Sequence, residues 1–234
     1  VFYKTKIKKA ILPDSCLYFD TGGGDQITAF CNCTELEEFR MNDFIMPPNW
    51  PQLIWNGSFD GCTKLKKITF NSFQVHSQKP SSNIWTFPTF TGCVSLETVD
   101  FGEVSGINSL SGSIFSGTPI TASLVPNYIS YLYHGAQFAY CPNLKVVVFE
   151  GNIERLSQDI FLNNTNLSVI FKQTTPPKTE EYRCLSFIDS IYVPDEAVET
   201  YKTAGGKWAG VIDIIFPLST YTGYMPTQLY ECNI

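Results

Sequence analysis

The chain has 234 residues, with 16 Lys plus Arg against 22 Asp plus Glu, a formal net charge of −6 and only 16% charged residues. Aromatics make up 15%, which excludes disorder as a description of the whole chain; the acidic balance argues against the basic stripe that nucleic acids require. The sequence has no apolar run of 18 or more residues to span a membrane. It opens on Val rather than Met and reads as a mature or truncated chain, with any targeting segment out of view.

Residues 1–28 read as an N-terminal cap or a degenerate first turn. Lys4, Lys6 and Lys8 alternate with Tyr3, Thr5 and Ile7, as in a half-exposed strand. Lysines on such an edge oppose edge-to-edge pairing, the alternative being a small basic contact patch. Thr21-Gly-Gly-Gly-Asp25 reads as a loop. A phosphate cradle would need a helix directly after it, and Gln26-Ile-Thr-Ala-Phe30 enters a repeat instead.

From 29 to 172 the chain compares with itself. Phe30, Phe59, Phe90, Phe115, Phe138 and Phe161 serve as anchors, spaced 29, 31, 25, 23 and 23 residues apart. Three residues after each stands Cys33, Cys62, Cys93, Thr118, Cys141 or Asn164, and six after stands Leu36, Leu65, Leu96, Leu144 or Leu167, with Ile120 one place early in the fourth unit. Nine after come Phe39, Ile68, Val99, Val147 and Ile170; eleven after come Met41, Phe70, Phe101 and Phe149, with Lys172 in the last unit and Leu124 and Val125 serving in the fourth. A further apolar column precedes the anchors at Ile54, Trp85, Leu110, Tyr133 and Leu156. Such columns describe six units of about 23 residues with insertions, each unable to bury its apolar face alone and so stacked on its neighbours. The alternation after each Leu has the strand period, so successive strands lie about 4.8 Å apart in a parallel ladder.

Residues 173–234 leave the period and read as a C-terminal cap. Pro176-Pro177 ends the last unit, Asp195 is placed as a helix N-cap, and Glu196 to Lys202 as a helix with Val198 and Tyr201 inward. Gly205-Gly206 ends that helix, and Val211 to Phe216 reads as a buried strand.

The phrases Phe59-Asp-Gly-Cys-Thr-Lys-Leu-Lys-Lys-Ile-Thr-Phe70, Phe90-Thr-Gly-Cys-Val-Ser-Leu-Glu-Thr-Val-Asp-Phe101 and Phe138-Ala-Tyr-Cys-Pro-Asn-Leu-Lys-Val-Val-Val-Phe149 resemble BspA-type leucine-rich repeats. Thr175-Pro-Pro177, Ile191-Tyr-Val-Pro-Asp-Glu-Ala-Val-Glu-Thr-Tyr201 and Trp208 resemble the closing region of such proteins. The resemblance covers roughly residues 29 to 217. It implies a right-handed, β-rich leucine-rich-repeat solenoid with its parallel ladder on the concave face, few helices and a small α/β cap. It also implies a cell-surface or secreted setting, with roles in adhesion and host contact.

The residues offer little for catalysis. Four cysteines share one column with Thr118 and Asn164, so a small polar group bonded to loop backbone explains all three residue types. Cys31-x-Cys33 lacks a second pair at zinc spacing, and no cofactor is implied. A Cys184–Cys232 bridge within the cap is a further reading. His76 and His134 have no partner at a triad or metal spacing. Glu37-Glu38 and Glu180-Glu181 are sequence neighbours, which on a strand point to opposite faces. Asn-x-Ser/Thr sequons at Asn32, Asn56, Asn163 and Asn166 fall in or near the repeat turns.

Recognition is therefore expected on the concave sheet and the insertions. The outward strand positions read as Glu38, Lys67, Thr98, Val146 and Val169 in one row and Arg40, Thr69, Asp100, Val148 and Phe171 in the other. The early units are charged and polar, with Arg40, Lys67 and Asp100 as candidate contacts. Val146, Val148, Val169 and Phe171 make an apolar patch that is either a partner site or covered by the cap and its tail around Tyr221 to Tyr230. Trp50 and Trp55 in the first insertion are candidate anchors for a protein or a sugar. The expected function is non-enzymatic adhesion or protein binding to a partner on a host or neighbouring cell surface. A glycan-binding module using the loop tryptophans and a ligand-free spacer are the alternatives.

Overall fold

The structure, a computed structural model, describes residues 2–13, 29–46, 58–75, 88–110, 112–132, 135–179 and 183–232. The strands follow the chain as β1 (Lys9–Ile11), β2 (Glu38–Met46), β3 (Lys67–Val75), β4 (Thr98–Asp100), β5 (Glu103–Ser105), β6 (Ser109–Leu110), β7 (Ala122–Val125), β8 (Tyr131–Leu132), β9 (Val146–Phe149), β10 (Ser168–Phe171) and β11 (Ser190–Val193). After β11 come the short helix α1 (Val198–Lys202) and β12 (Ile215–Pro217). All pairs between these strands are parallel, in ladders ordered β1-β2-β3-β4 (with β5 also on β3) and β7-β9-β10-β11-β12, with β6 on β8 alongside. Parallel pairing thus runs on past residue 172, through β11 and β12.

Each circuit of the chain is one coil of a solenoid, and its anchor ring lies over the next. Phe2 stacks on Phe30 at 5.1 Å, Phe30 on Phe59 at 5.5 Å and Phe59 on Phe90 at 5.7 Å; the series continues through Phe115 and Phe138 to Phe161 at 6.0, 5.8 and 6.0 Å. Phe2 therefore founds a first coil, and Leu185 takes the anchor place in an eighth. The anchors from Phe30 to Phe161 are fully buried, each such ring contributing roughly 1.5–3 kcal/mol relative to exposure. Two residues after each anchor the backbone is left-handed, at Lys4, Asn32, Gly61, Gly92, Gly117, Tyr140, Asn163 and Phe187. This bend turns the chain back toward the sheet.

The column three places after the anchor closes the gap between coils. The thiols of Cys33, Cys62, Cys93 and Cys141 donate to the carbonyls of Phe2, Phe30, Phe59 and Phe115, each one coil back, at 2.8, 2.9, 3.1 and 3.0 Å. Asn164 does the same to Phe138 at 2.8 Å, which is why the column accepts an amide. Thr118 is shorter and bonds its own coil at the Phe115 carbonyl. The inward-facing polar group expected from the sequence is present, and it acts as a rung-to-rung clasp.

The cap departs from the expected outline. Asp195 does not cap a helix; it opens a 3-10 turn, Asp195–Ala197, and its carboxylate accepts the Ser219 N–H at 2.9 Å. α1 is accordingly only Val198–Lys202, with Tyr201 buried and Val198 against the core, and Gly205 and Gly206 follow at positive φ as expected. Val211 to Phe216 is not a buried strand. A 3-10 turn, Ile212–Ile214, follows another at Gly206–Gly210 and takes up half of the segment, Ile212 and Phe216 are exposed, and extended backbone begins only at Ile215.

Beyond β12 the chain runs back along the solenoid and enters its middle. The fourth and fifth coils do not bond to each other at the sheet. The Thr121 N–H donates to the Glu231 carbonyl at 2.7 Å, Leu124 to Gln228 at 2.7 Å, and Glu231 returns a bond to Ala122 at 3.1 Å, so the tail lies antiparallel to β7. On its other side the Tyr230 hydroxyl donates to the Leu96 carbonyl at 2.8 Å, and the buried ring packs 5.2 Å from Phe115. The Cys232 thiol faces the Glu97 carbonyl at 3.5 Å. Cys184 lies in the eighth coil, four steps or about 19 Å of ladder away. The Cys184–Cys232 bridge is therefore not formed.

Candidate functional site

The concave sheet has two unlike halves. On the first four coils the register aligns Lys9, Glu38, Lys67 and Thr98 in one outward row and Ile11, Arg40, Thr69 and Asp100 in a second. Between the rows Ala10, Phe39, Ile68 and Val99 point into the core, and this alternation forces their neighbours outward. Arg40, Lys67 and Asp100 are exposed on one face, as the sequence predicts. The Lys9 ammonium meets the Glu38 carboxylate at 2.6 Å, and the hydrogen bond from Lys9 holds the Glu38 carboxyl below the usual range. Lys64–Glu35 at 2.8 Å and Lys66–Glu97 at 3.7 Å add pairs between coils. These are solvated pairs, each worth about 0–1 kcal/mol, so they set the sign pattern of the surface more than its stability. Among the described residues the buried Thr69 hydroxyl, midway between Arg40 and Asp100 in its row, has no hydrogen-bond partner.

The second half is covered. Ala122, Val146, Val148 and Ile170 form a buried apolar cluster on the outer side of the sheet, beneath Leu124, Tyr192, Leu218 and Tyr221. Tyr221 meets Tyr192 edge-on at 4.8 Å, and Phe216 lies 5.7 Å from Tyr192. Val146 and Val148 face outward in the sheet, as expected, yet are fully covered by the returning chain. Val169 and Phe171 are not outward at all. They pair with Val147 and Phe149 and belong to the main core, with the Phe149 and Phe171 rings 5.2 Å apart. The seventh coil has one residue fewer between Leu167 and its first inward strand residue, and a slip of one position exchanges the two faces of a strand. Ile170 takes the outward place instead. Ser123 likewise holds the inward row of the fifth coil, and Leu124 joins the cover. Trp50 and Trp55, with Trp85, His76 and His134, lie outside the described residues.

The remaining chemistry is sparse. Burial pushes the thiol of Cys62 up to about 12 and that of Cys141 up to about 11, and it raises Cys93 as well, so these thiols are poor nucleophiles and poor metal ligands at neutral pH. Among the described residues no group of three or more His, Cys, Asp or Glu side chains is placed to hold a metal ion, and no helix is long and apolar enough to cross a membrane. The cap carries an open depression of about 880 Å³ lined by Lys178, Thr200, Thr203, Gly205 and Lys207. Its one aromatic, Trp208, is buried, with its indole N–H on the Pro177 carbonyl at 3.0 Å, and so offers no stacking face.

The sequence matches the BspA type leucine rich repeat region in six copies, over residues 26–83 and 86–190. The chain belongs to the BspA-type leucine-rich repeat family. Solved structures similar to this BspA-type chain include a leucine-rich repeat protein from Bacteroides ovatus, at 13% identity and a TM-score of 0.37, covering 80% of this chain and 63% of that one. Another is a leucine rich cell surface protein from Faecalibacterium prausnitzii, at 15% identity and a TM-score of 0.36, covering 83% of this chain and 59% of that one. The chain thus spans about three fifths of the length of these structures. No curated protein matches the sequence.

Proposed function

We propose that this BspA-type chain is a non-enzymatic recognition module of a cell-surface or secreted protein, binding a protein partner through the concave face of its first four coils. The observation that carries this reading is the contrast between the two halves of one sheet. The later coils close their apolar face with their own tail, whereas the early coils leave Arg40, Lys67, Thr98 and Asp100 exposed on a parallel ladder of fixed spacing. A rigid surface of alternating sign suits a protein surface of complementary pattern and governs association through charge.

A protein array probed with the full chain and with Arg40→Glu/Lys67→Glu tests it. The parent chain captures a partner with an affinity that falls between 50 and 500 mM salt, and the variant binds at least about tenfold more weakly at low salt. Capture that is indifferent to the variant moves the site elsewhere, and no capture at all makes the module a spacer.

A further inference from the structure

The left-handed residue after each anchor is a demand of the backbone, and most coils meet it with residues suited to it: Asn32, Gly61, Gly92, Gly117 and Asn163. The sixth and eighth coils place Tyr140 there at φ 56° and Phe187 at φ 65°. A bulky aromatic is disfavoured in that conformation. Neither side chain recovers the loss by burial, since Tyr140 is 52% and Phe187 38% exposed. A residue choice that strains the backbone and leaves an aromatic in water is a signature of a functional surface.

We propose that Tyr140, Asn163 and Phe187 form a binding stripe for a neutral, linear, β-linked polysaccharide. The three residues hold the same place on successive coils, so the stripe follows the solenoid axis. At this edge the sixth coil is hydrogen-bonded directly to the seventh, the Tyr140 N–H donating to the Leu162 carbonyl at 2.7 Å. Two such steps put the aromatics roughly 10 Å apart. That is the length of a disaccharide in an extended β-linked chain, so both rings meet equivalent sugars, whose C–H faces stack on aromatic surfaces. The exposed Asn163, flanked by exposed Asn143, Thr165 and Asn166, supplies amide and hydroxyl groups that match sugar hydroxyls between the two stacking points.

The surroundings narrow the polymer further. No charged side chain occurs from 140 to 143 or from 163 to 166. Arg183 is closed on Asp159 at 2.7 Å, and the Asp189 carboxylate accepts the Leu167 N–H at 2.9 Å. An acidic polymer gains nothing here. An extended peptide is a poorer fit, because it repeats every two residues at about 6.8 Å and binds by strand addition to free edge groups. Between the sixth and seventh coils those groups are already spent, the Phe138 and Tyr140 N–H groups on the Ile160 and Leu162 carbonyls. The stripe lies on the bend rather than on the concave sheet, so it does not rest on the protein-binding reading above.

Affinity electrophoresis and calorimetry of the full chain with cellohexaose and chitohexaose test the proposal, with maltohexaose as a curved, α-linked control. At least one β-linked hexamer binds, and maltohexaose binds at least about tenfold more weakly. In the Tyr140→Gly/Phe187→Gly double variant binding drops at least about tenfold while Tm stays equal to the parent or rises, because glycine removes the strain. Failure of both β-linked glycans to bind, equal binding of maltohexaose, or undiminished binding by the glycine variant overturns the assignment. So does capture of a protein that needs both aromatics when no glycan binds.

Discussion

The thiol of Cys62 shows what one residue contributes in a repeated environment. It spans the gap to the Phe30 carbonyl at 2.9 Å, and burial keeps it protonated to about pH 12. In the unfolded chain the same thiol ionises near its ordinary value of 9.0. The unfolded state therefore sheds the proton first. The stabilisation is complete below pH 9 and is lost as pH rises toward the folded value, with Cys141 following at about 11. The urea midpoint should hold steady up to about pH 9 and fall between pH 9 and 12; a midpoint flat to pH 12 contradicts it. Native alkylation at pH 8 should likewise spare Cys62, Cys93 and Cys141, and mass spectrometry reads this directly. The role of this column is legible in the sequence because Cys, Thr and Asn share only small size and hydrogen-bonding capacity. What is not legible is that Thr118, whose C–O bond is shorter than the C–S bond of cysteine, turns to its own coil.

At the scale of one coil, the anchor ring and the strand are a unit. Phe59 touches the rings of Phe30, Phe39 and Phe90 and is fully buried, so Phe59→Ala removes contacts on both neighbouring coils. The loss should be about 3–5 kcal/mol by chemical denaturation, against about 1–2 kcal/mol for Cys93→Ala, which forfeits a small side chain and one hydrogen bond. A Phe59→Ala cost near that of an exposed residue would deny the anchors their structural role. Gly102 sets another local limit: at φ 58° its added Cβ would collide with the Asn71 carbonyl, so Gly102→Ala should cost stability through backbone displacement. The sequence reveals the coils because anchors recur at explicit spacing. It misplaces Val169 and Phe171 because a one-residue shortening in the seventh coil leaves every apolar letter in view while reversing which face each occupies.

Across the whole molecule, stacked coils touch only their neighbours, and such arrays unfold piecemeal. Here the tail overrides that expectation. Tyr230 reaches Leu96 over 134 residues and Thr121 reaches Glu231 over 110, tying the fourth and fifth coils to a segment that follows the eighth. Deleting residues 223–234 should split one thermal transition into two and expose Phe115 and the faces around Leu96 and Ala122, read as increased binding of a hydrophobic dye. A single unaltered transition would show that the coils cohere without the wedge. The sequence offers a tail lying over the late coils as one of two options. The insertion between coils had no periodic signature, since a strand that joins a repeat from outside obeys no repeat spacing.

That wedge also fixes an order of events. A ribosome releases the eight described coils one after another, and each can settle its strand on the one before it, except at the junction whose sheet side waits for Glu231 and Tyr230. Until these arrive, the fourth and fifth coils are joined at the bend, where Phe90 stacks on Phe115, while β4 and β7 leave a gap in the sheet. The winding of these coils should therefore include a late, distant closure, slow compared with the local winding that precedes it.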